Sequence, residues 1–158
     1  MQRKLETIIS NIQFEKMADV HSKEIRSYNM SRIKGTETKP ENLVRKYLFS
    51  KGFRYRKNVS GLPGKPDVVL RKYKTIVFIN GCFWHKHEGC KYFVWPKTNQ
   101  EFWKNKIETN VLRDNRNYGL LKNDGWHVIV VWECDIKHRF QETMDDLVNE
   151  IRNNLQNI

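Results

Sequence analysis

One stretch, residues 78–90, constrains this chain more than any other. It reads Phe-Ile-Asn-Gly-Cys-Phe-Trp-His-Lys-His-Glu-Gly-Cys, and a β-branched, apolar run over 75–79 leads into it. The pattern predicts a strand that ends at a glycine turn and then presents thiols, imidazoles and aromatic rings together. We therefore expect a site here rather than a packed core.

Metal-ligating side chains follow a short spacing in this stretch. Cys82, His87 and Cys90 lie within nine positions, and the third cysteine, Cys134, follows a later apolar run. Four thiolate and imidazole ligands are what tetrahedral zinc binds in closed structural sites. Buried, reduced thiols that pack as small apolar groups are the alternative, and three cysteines argue against a disulfide framework. The sequence predicts structural zinc at these four residues.

His85 lies two residues before His87, in a loop whose conformation the sequence does not fix. Its imidazole either belongs to the zinc site, as an alternative ligand or as a side chain that contacts a ligand, or it is free to act as a base, because histidine titrates near neutral pH. Both interpretations stay open at this point.

Two carboxylates have both structural and chemical interpretations. Residues 38–41 fit a capping box at the start of a helix, which gives Glu41 a structural role. Asp67 follows a turn-rich segment, 61–66, and begins an apolar strand that can form a hairpin with 75–79. A carboxylate in that place suits Mg²⁺, whereas a turn aspartate that bonds its own backbone is the alternative.

The charge of the chain indicates a polyanionic partner. The formal net charge is +11 over 158 residues, a length at which we expect one domain. Five tryptophans favour nucleic acid over an anionic membrane surface, because flat rings stack on bases. No apolar run approaches the ~20 residues of a membrane span, and no secretory leader is recognisable.

Apolar periodicity predicts the regular elements. We expect helices over about 39–51, 99–123 and 141–156, the second opened by a capping box at 98–101, and strands over 53–56, 68–70, 75–79 and 126–132.

A family resemblance covers residues 17 to about 135. The segments that carry it are Met17-Ala18-Asp19-Val20-His21, Arg26-Ser27, Asn29-Met30, Leu62-Pro63-Gly64-Lys65-Pro66-Asp67, Gly81-Cys82-Phe83-Trp84-His85, Glu101-Phe102-Trp103, Asn110-Val111, Arg113-Asp114 and Val131-Trp132-Glu133-Cys134. In this order they resemble the very-short-patch-repair (Vsr) DNA mismatch endonucleases. The resemblance implies an α/β, restriction-endonuclease-like fold of the PD-(D/E)xK type, with a central mixed sheet flanked by helices and a structural zinc site. It makes residues 17–158 one endonuclease domain. Residues 1–16 lie outside the resemblance as an extension, and Leu5, Ile8, Ile9 and Ile12 at helical spacing predict a helix there.

The resemblance also implies a reaction, the nicking of one DNA strand next to a T:G mismatch with Mg²⁺. Asp67 resembles the metal-binding aspartate, with the Ile79 carbonyl as a second ligand. His85 resembles the general base, Asp114 the carboxylate that supports it, and Glu41 the glutamate of the N-terminal helix. The zinc set is the one given above.

Two further groups complete the implied site. Phe83, Trp84 and Trp103 resemble the aromatic residues that wedge into DNA beside the mismatch. Ile79 and Asn80 replace a Thr-His pair of the best-known member, so position 79 offers metal only its carbonyl. Asn80, included among the catalytic residues, can hydrogen-bond but cannot carry a proton at neutral pH.

The implied partner is double-stranded DNA with a T:G mismatch, bound by a monomer in the bacterial cytoplasm at the nucleoid. Mismatch-repair proteins are further candidate partners, and a membrane is not. Two alternatives remain: another metal-dependent DNA nuclease of the same fold, and a zinc-stabilised DNA-binding protein whose active site is impaired.

Overall fold

The computed structural model describes residues 22–32 and 35–156. The chain divides into two compact units, 1–35 and 36–158. In the first unit, helix α1 spans Lys23–Ser31, and the Ser22 hydroxyl accepts a hydrogen bond from the Ile25 amide at 3.3 Å, as an N-cap does. The predicted helix over 1–16 lies outside the described residues.

The second unit is built on a three-stranded mixed sheet in the order β1-β2-β3. The strands are β1 (Val68–Leu70), β2 (Thr75–Asn80) and β3 (His127–Trp132). β1 and β2 run antiparallel, with Val68 opposite Val77, and β2 and β3 run parallel, with Ile79 opposite Val131. A mixed sheet in an α/β unit was predicted, and it is confirmed.

Helices cover both faces of this sheet. They are α2 (Lys39–Ser50), α3 (Gln100–Asn123), α4 (Glu133–His138) and α5 (Phe140–Gln156), and a 3-10 turn, Arg71–Tyr73, joins β1 to β2. Side chains alternate across a strand, and in β2 Val77 packs with residues of α2 and α5 whereas Ile76 and Phe78 pack with Leu121 of α3. The sheet therefore separates two apolar clusters. No helix of the described ranges is long and apolar enough to cross a bilayer.

The predicted hydroxyl cap at Thr38 is confirmed, and the Glu41 carboxylate accepts from the Glu37 amide instead of the Thr38 amide of a regular capping box. The Thr38 hydroxyl accepts from the Glu41 amide at 3.5 Å and donates to the Glu41 carboxylate at 2.8 Å. At the other end of α2, Gly52 has φ +87°, which glycine adopts readily, and the Phe53 amide donates to the Leu48 carbonyl at 3.0 Å.

The second predicted capping box, at 98–101, is wrong. The N-cap of α3 is Asn99, which has φ +49° and makes no capping side-chain bond within the described part of the chain. Because the helix begins at Gln100, Glu101 is its second residue instead of its third and cannot close the box with Thr98.

The predicted strand over 53–56 is also wrong, because only Arg56 pairs, in a single bridge with Val69. In the register of that bridge, Arg54 would lie opposite Arg71. β1 ends at Leu70, however, and Arg71–Tyr73 form the 3-10 turn, so no extended partner is present and the ladder stops.

Candidate active site

Asp67 stands beside the end of β2. Its Oδ2 accepts a hydrogen bond from the Ile79 amide at 2.7 Å. The bond crosses the hairpin, so Asp67 is not a turn residue that bonds its own backbone. In an extended strand the N–H and C=O of one residue point to the same side. The Ile79 carbonyl is therefore directed to the edge where the Asp67 carboxylate lies.

A close contact at Gly64 brings the turn-rich segment against the sheet. Gly64 has φ +75°, and a Cβ there would lie 3.2 Å from the Phe78 ring and 3.1 Å from Asn117 Nδ2. Only glycine combines this backbone with this approach. The contact fixes the segment that delivers Asp67 to the edge of β2.

The Asp67 carboxylate is held in an environment that disfavours its charge. Burial raises the pKa of Asp67 to about 6, and the charge of Glu41 adds to this effect. The Ile79 amide and the charges of Arg45 and His85 oppose it. A cation next to Asp67 would relieve this cost, because an opposite charge favours the ionised form.

This raised pKa predicts that Asp67→Asn stabilises the metal-free protein at alkaline pH. The folded state holds the Asp67 proton up to about pH 6, whereas an unfolded aspartate loses it near pH 4. Stability is therefore lost as pH rises from about 4 through 6, and the full cost, about 3 kcal/mol for two pKa units, is present above that window. Asparagine cannot ionise, so the variant avoids this cost, and its side-chain oxygen can still accept the hydrogen bond from the Ile79 amide.

Denaturant unfolding of both proteins at pH 8 and pH 5, without Mg²⁺, measures this effect. We expect the variant to be more stable at pH 8 and its advantage to shrink to about half at pH 5. Equal stability of the two proteins at pH 8 would contradict the raised pKa.

Glu41 is 4% exposed, and both oxygens of its carboxylate have partners. Its carboxylate accepts from the Glu37 amide at 2.9 Å and from the Thr38 hydroxyl, and it pairs with Arg45 Nη2 at 3.1 Å. Because Arg45 also binds the Asp67 carbonyl, Glu41 is linked to Asp67 through one buried guanidinium. These contacts account for a structural role of Glu41, and its catalytic role stays a prediction.

Sequence reasoning missed Arg45. Its signal was weak: an arginine between the apolar residues Val44 and Leu48 of a helix. Long basic side chains usually reach water from such positions, whereas this one is 4% exposed.

His85 forms a pair with Asp114 of α3. The distance from His85 Nδ1 to Asp114 Oδ2 is 2.5 Å, and the side chains are 26% and 14% exposed. An ionised carboxylate only accepts hydrogen bonds, so the neutral tautomer of His85 that bonds to Asp114 is the one with its proton on Nδ1 and with Nε2 free. The His85 amide donates to the Gly81 carbonyl at 3.2 Å, which closes the turn after β2. The imidazole therefore faces α3.

His87 and the two cysteines of the loop form a separate group with Cys134 of α4. Cys82, His87, Cys90 and Cys134 place their ligand atoms within 4.8 Å of one another. His87 Nδ1 lies 3.6 Å from Cys82 Sγ and 3.4 Å from Cys134 Sγ. Tetrahedral zinc with its usual bond lengths sets ligand atoms about 3.5 Å apart, so the cluster has the size and chemistry of a zinc site. His85 is outside it.

Two further observations concern this cluster. The ring of Trp132 stacks on His87 with a centroid distance of 4.0 Å and fixes the plane of the imidazole. Burial raises the pKa of Cys134 to about 12, and the Cys82 and Cys90 sulfurs beside it contribute to the shift. The cluster thus disfavours the thiolate at Cys134 until a cation compensates it.

Phe83, Trp84 and Trp103 form one group of rings. Ring centroids lie 5.2 Å apart for Phe83 and Trp84, 5.5 Å for Phe83 and Trp103, and 6.0 Å for Trp84 and Trp103. All three residues are half-buried, and the Trp84 carbonyl accepts from Asn110 of α3 at 3.1 Å. The rings are held together on the protein without being absorbed into the core.

Asn80 pairs with a residue that the sequence did not single out. The Asn80 side chain, 5% exposed, donates from Nδ2 to the Tyr118 hydroxyl at 3.0 Å. The Tyr118 ring lies 4.9 Å from that of Phe78. Burial raises the pKa of Tyr118 to about 12, and the charges of Asp114 and Asp67 add to the effect. The phenol is therefore protonated at neutral pH.

Comparison with known proteins identifies relatives of this chain. The family described as DNA mismatch endonuclease Vsr matches residues 18–91. The Type II nicking enzyme V.NmeAIP of Neisseria meningitidis serogroup A is 50% identical over 138 residues, which are 86% of this chain and 98% of that protein.

Two more relatives have similar sequence identity over most of this chain. The DNA mismatch endonuclease Vsr of Escherichia coli K12 is 41% identical over 85% of this chain and 86% of its own length. The Type II nicking enzyme V.XorIIP of Xanthomonas oryzae is 42% identical over 76% of this chain and 88% of its own. At this identity and coverage, the chain belongs to the Vsr family of DNA mismatch endonucleases.

Proposed function

We propose that this protein is a Mg²⁺-dependent endonuclease that nicks one strand of DNA next to a T:G mismatch and so starts very short patch repair. Nicking and mismatch repair follow from the names of its relatives. The observation that supports the chemistry is the edge of β2, where Asp67 bonds to Ile79 and interacts electrostatically with His85. The metal, the mismatch and the residue roles are our proposal.

The residues at this edge fit Mg²⁺. A carboxylate oxygen of Asp67 and the carbonyl oxygen of Ile79 are the hard ligands that Mg²⁺ prefers. Ile79 has no side-chain oxygen, but the ligand proposed here is its backbone carbonyl, which every residue at this position would offer. When bound, Mg²⁺ would supply charge stabilisation and a template for the phosphate.

The His85–Asp114 pair fits the role of a general base. With Nδ1 bonded to Asp114, Nε2 of His85 can take the proton of an attacking water. The water oxygen bonds to phosphorus as the P–O bond to the leaving sugar oxygen breaks. Asp114 holds the required tautomer and stabilises the imidazolium that forms. Arg45 acts through Asp67, whose backbone it holds.

The aromatic group of Phe83, Trp84 and Trp103 fits mismatch recognition. A T:G wobble pair stacks less well than a matched pair, so opening the step with a ring costs less free energy. The net charge of +11 supports phosphate contacts along the duplex. The same proposal has a monomer acting in the bacterial cytoplasm at the nucleoid.

The Cys/His cluster supports structural zinc. We expect Cys134→Ser to lose the metal and several kcal/mol of folding free energy, because binding of a structural metal is coupled to folding. Metal analysis of protein purified without added zinc, together with denaturant unfolding, tests this. Asp67→Asn is the control and should keep its zinc. Well-folded wild-type protein with far less than one zinc per chain would disprove the site.

A nicking assay tests the proposed function. T:G and T:A duplexes, with a different fluorophore on each strand, are incubated with excess enzyme in Mg²⁺ or in EDTA. We expect one nicked strand, in the T:G duplex only and with Mg²⁺ only. Equal nicking of the matched duplex favours the other nuclease, and binding without cleavage favours the impaired DNA-binding protein. Asp67→Asn, purified in parallel, controls for contaminating nuclease.

A further inference from the structure

Helix α3 presents two residues one turn apart, and each bonds to a polar side chain at the carboxyl end of β2. We call this end of β2, with Asp67, Ile79, Asn80 and His85, the β2 edge. Asp114 bonds to His85 at 2.5 Å, and Tyr118, four positions later, bonds to Asn80 at 3.0 Å. Residues at i and i+4 lie on the same face of a helix. The two pairs therefore stand side by side, and only the first has a role in the proposed mechanism.

The Tyr118 hydroxyl has a proton to donate. Asn80 Nδ2 occupies an acceptor position of the oxygen, and no acceptor among residues 22–32 and 35–156 takes the hydroxyl proton. Contact with Phe78 fixes the ring, and the buried amide of Asn80 fixes the oxygen. A donor held in this way loses little entropy when it binds an oxygen of the substrate.

The surroundings suit a neutral donor to an anion. The charges of Asp67 and Asp114 act on Tyr118, so the hydroxyl lies in the field of both carboxylates of the proposed site. A lysine or arginine at this position would pair with these carboxylates instead of the substrate. A carboxylic acid would lose its proton more readily than a phenol does and could no longer donate. A phenol that stays protonated can bond to phosphate without either effect.

We propose that Tyr118 donates a hydrogen bond to a non-bridging oxygen of the scissile phosphate, and that Asn80 is the positioning residue that holds the Tyr118 hydroxyl for this contact. This inference rests on the proposed function, because it requires a phosphodiester at the β2 edge. It changes the interpretation of Asn80: the side chain acts through Tyr118 and not on the reacting atoms.

Tyr118→Phe tests the proposal, since it removes only the hydroxyl and keeps the ring on Phe78. We expect single-turnover nicking of a T:G duplex to fall about 10²-fold, as on removal of one transition-state donor, with unchanged DNA affinity. The melting temperature should fall by a few degrees, because the buried Asn80 amide loses its acceptor, and the assay is run well below it. Tyr47→Phe is the matched control. It removes a hydroxyl that bonds to Asp145 at 2.8 Å, on the α2–α5 side of the sheet, and it should nick at the wild-type rate.

Phosphorothioate duplexes identify the atom that Tyr118 contacts. Sulfur accepts hydrogen bonds weakly, so replacing the contacted oxygen should shrink the ratio of wild-type to Tyr118→Phe rates from about 10²-fold to less than about 10-fold. The other diastereomer should keep the full ratio. Mn²⁺ replaces Mg²⁺ in all arms, so that sulfur next to the metal does not abolish the reaction. Asn80→Ala should slow the wild type but add little to Tyr118→Phe.

Three results would overturn the inference: a wild-type rate for Tyr118→Phe, the same rate ratio for the all-oxygen substrate and both diastereomers, or additive effects of Asn80→Ala and Tyr118→Phe. In each of these the wild type still nicks, so the proposed function stands. A wild-type protein that does not nick the T:G duplex removes the proposed function and this inference together.

Discussion

Asp67→Asn should lower single-turnover nicking of a T:G duplex by orders of magnitude and leave DNA binding intact or stronger. Mg²⁺ prefers anionic oxygen, and the variant offers a neutral amide where the carboxylate bonds to the Ile79 amide. Removing a negative charge near the scissile phosphate also lowers repulsion of the DNA. The measurement uses saturating enzyme, so that the rate reports the chemical step.

Asp124→Asn is the matched control for this change. Asp124 is exposed and bonds to the Trp126 ring nitrogen at 3.0 Å, so its loss should not affect nicking. A near-wild-type rate for Asp67→Asn would show that the active site lies elsewhere. Unfolding of the variant is not expected, because the raised pKa of Asp67 makes the neutral side chain the more stable one.

His85→Ala should slow nicking by about 10²–10⁴-fold, the usual effect of losing a general base. The free Nε2 of His85 is the atom that would take the proton, since Nδ1 bonds to Asp114. At saturating Mg²⁺, which keeps Asp67 ionised, the wild-type rate should rise with pH and then level off, because a general base acts in its unprotonated form. In the variant this rise should disappear.

His127→Ala controls for the loss of an imidazole, because His127 pairs with the exposed Glu150 at 2.7 Å, away from the β2 edge. A slow His85→Ala variant that keeps the same pH dependence would mean that His85 positions the water without taking its proton. A variant with the wild-type rate would exclude His85 from the chemistry.

Residues that carry their own local signal could be predicted from the sequence. The strand before Gly81, the hairpin beside Asp67 and the hydroxyl cap at Thr38 follow from local propensity and turn chemistry, and each is present. The Cys/His cluster followed from ligand type, since few other arrangements bring those side chains together.

Residues whose role depends on packing between elements could not be predicted. Arg45 and Tyr118 are defined by what lies across from them, the Asp67 carbonyl and the Asn80 amide. Neither partner is near in sequence, and helical periodicity does not report it. The strand expected over 53–56 failed for a related reason, because its partner segment leaves the extended conformation at the 3-10 turn Arg71–Tyr73.

Anomalous X-ray diffraction from crystals grown with Mn²⁺ tests the central claim most directly, that a catalytic metal and a structural zinc occupy separate sites. We expect a manganese peak about 2 Å from the Asp67 carboxylate and the Ile79 carbonyl, and a zinc peak among Cys82, His87, Cys90 and Cys134. Manganese at the Cys/His cluster with no peak at Asp67 would contradict the account.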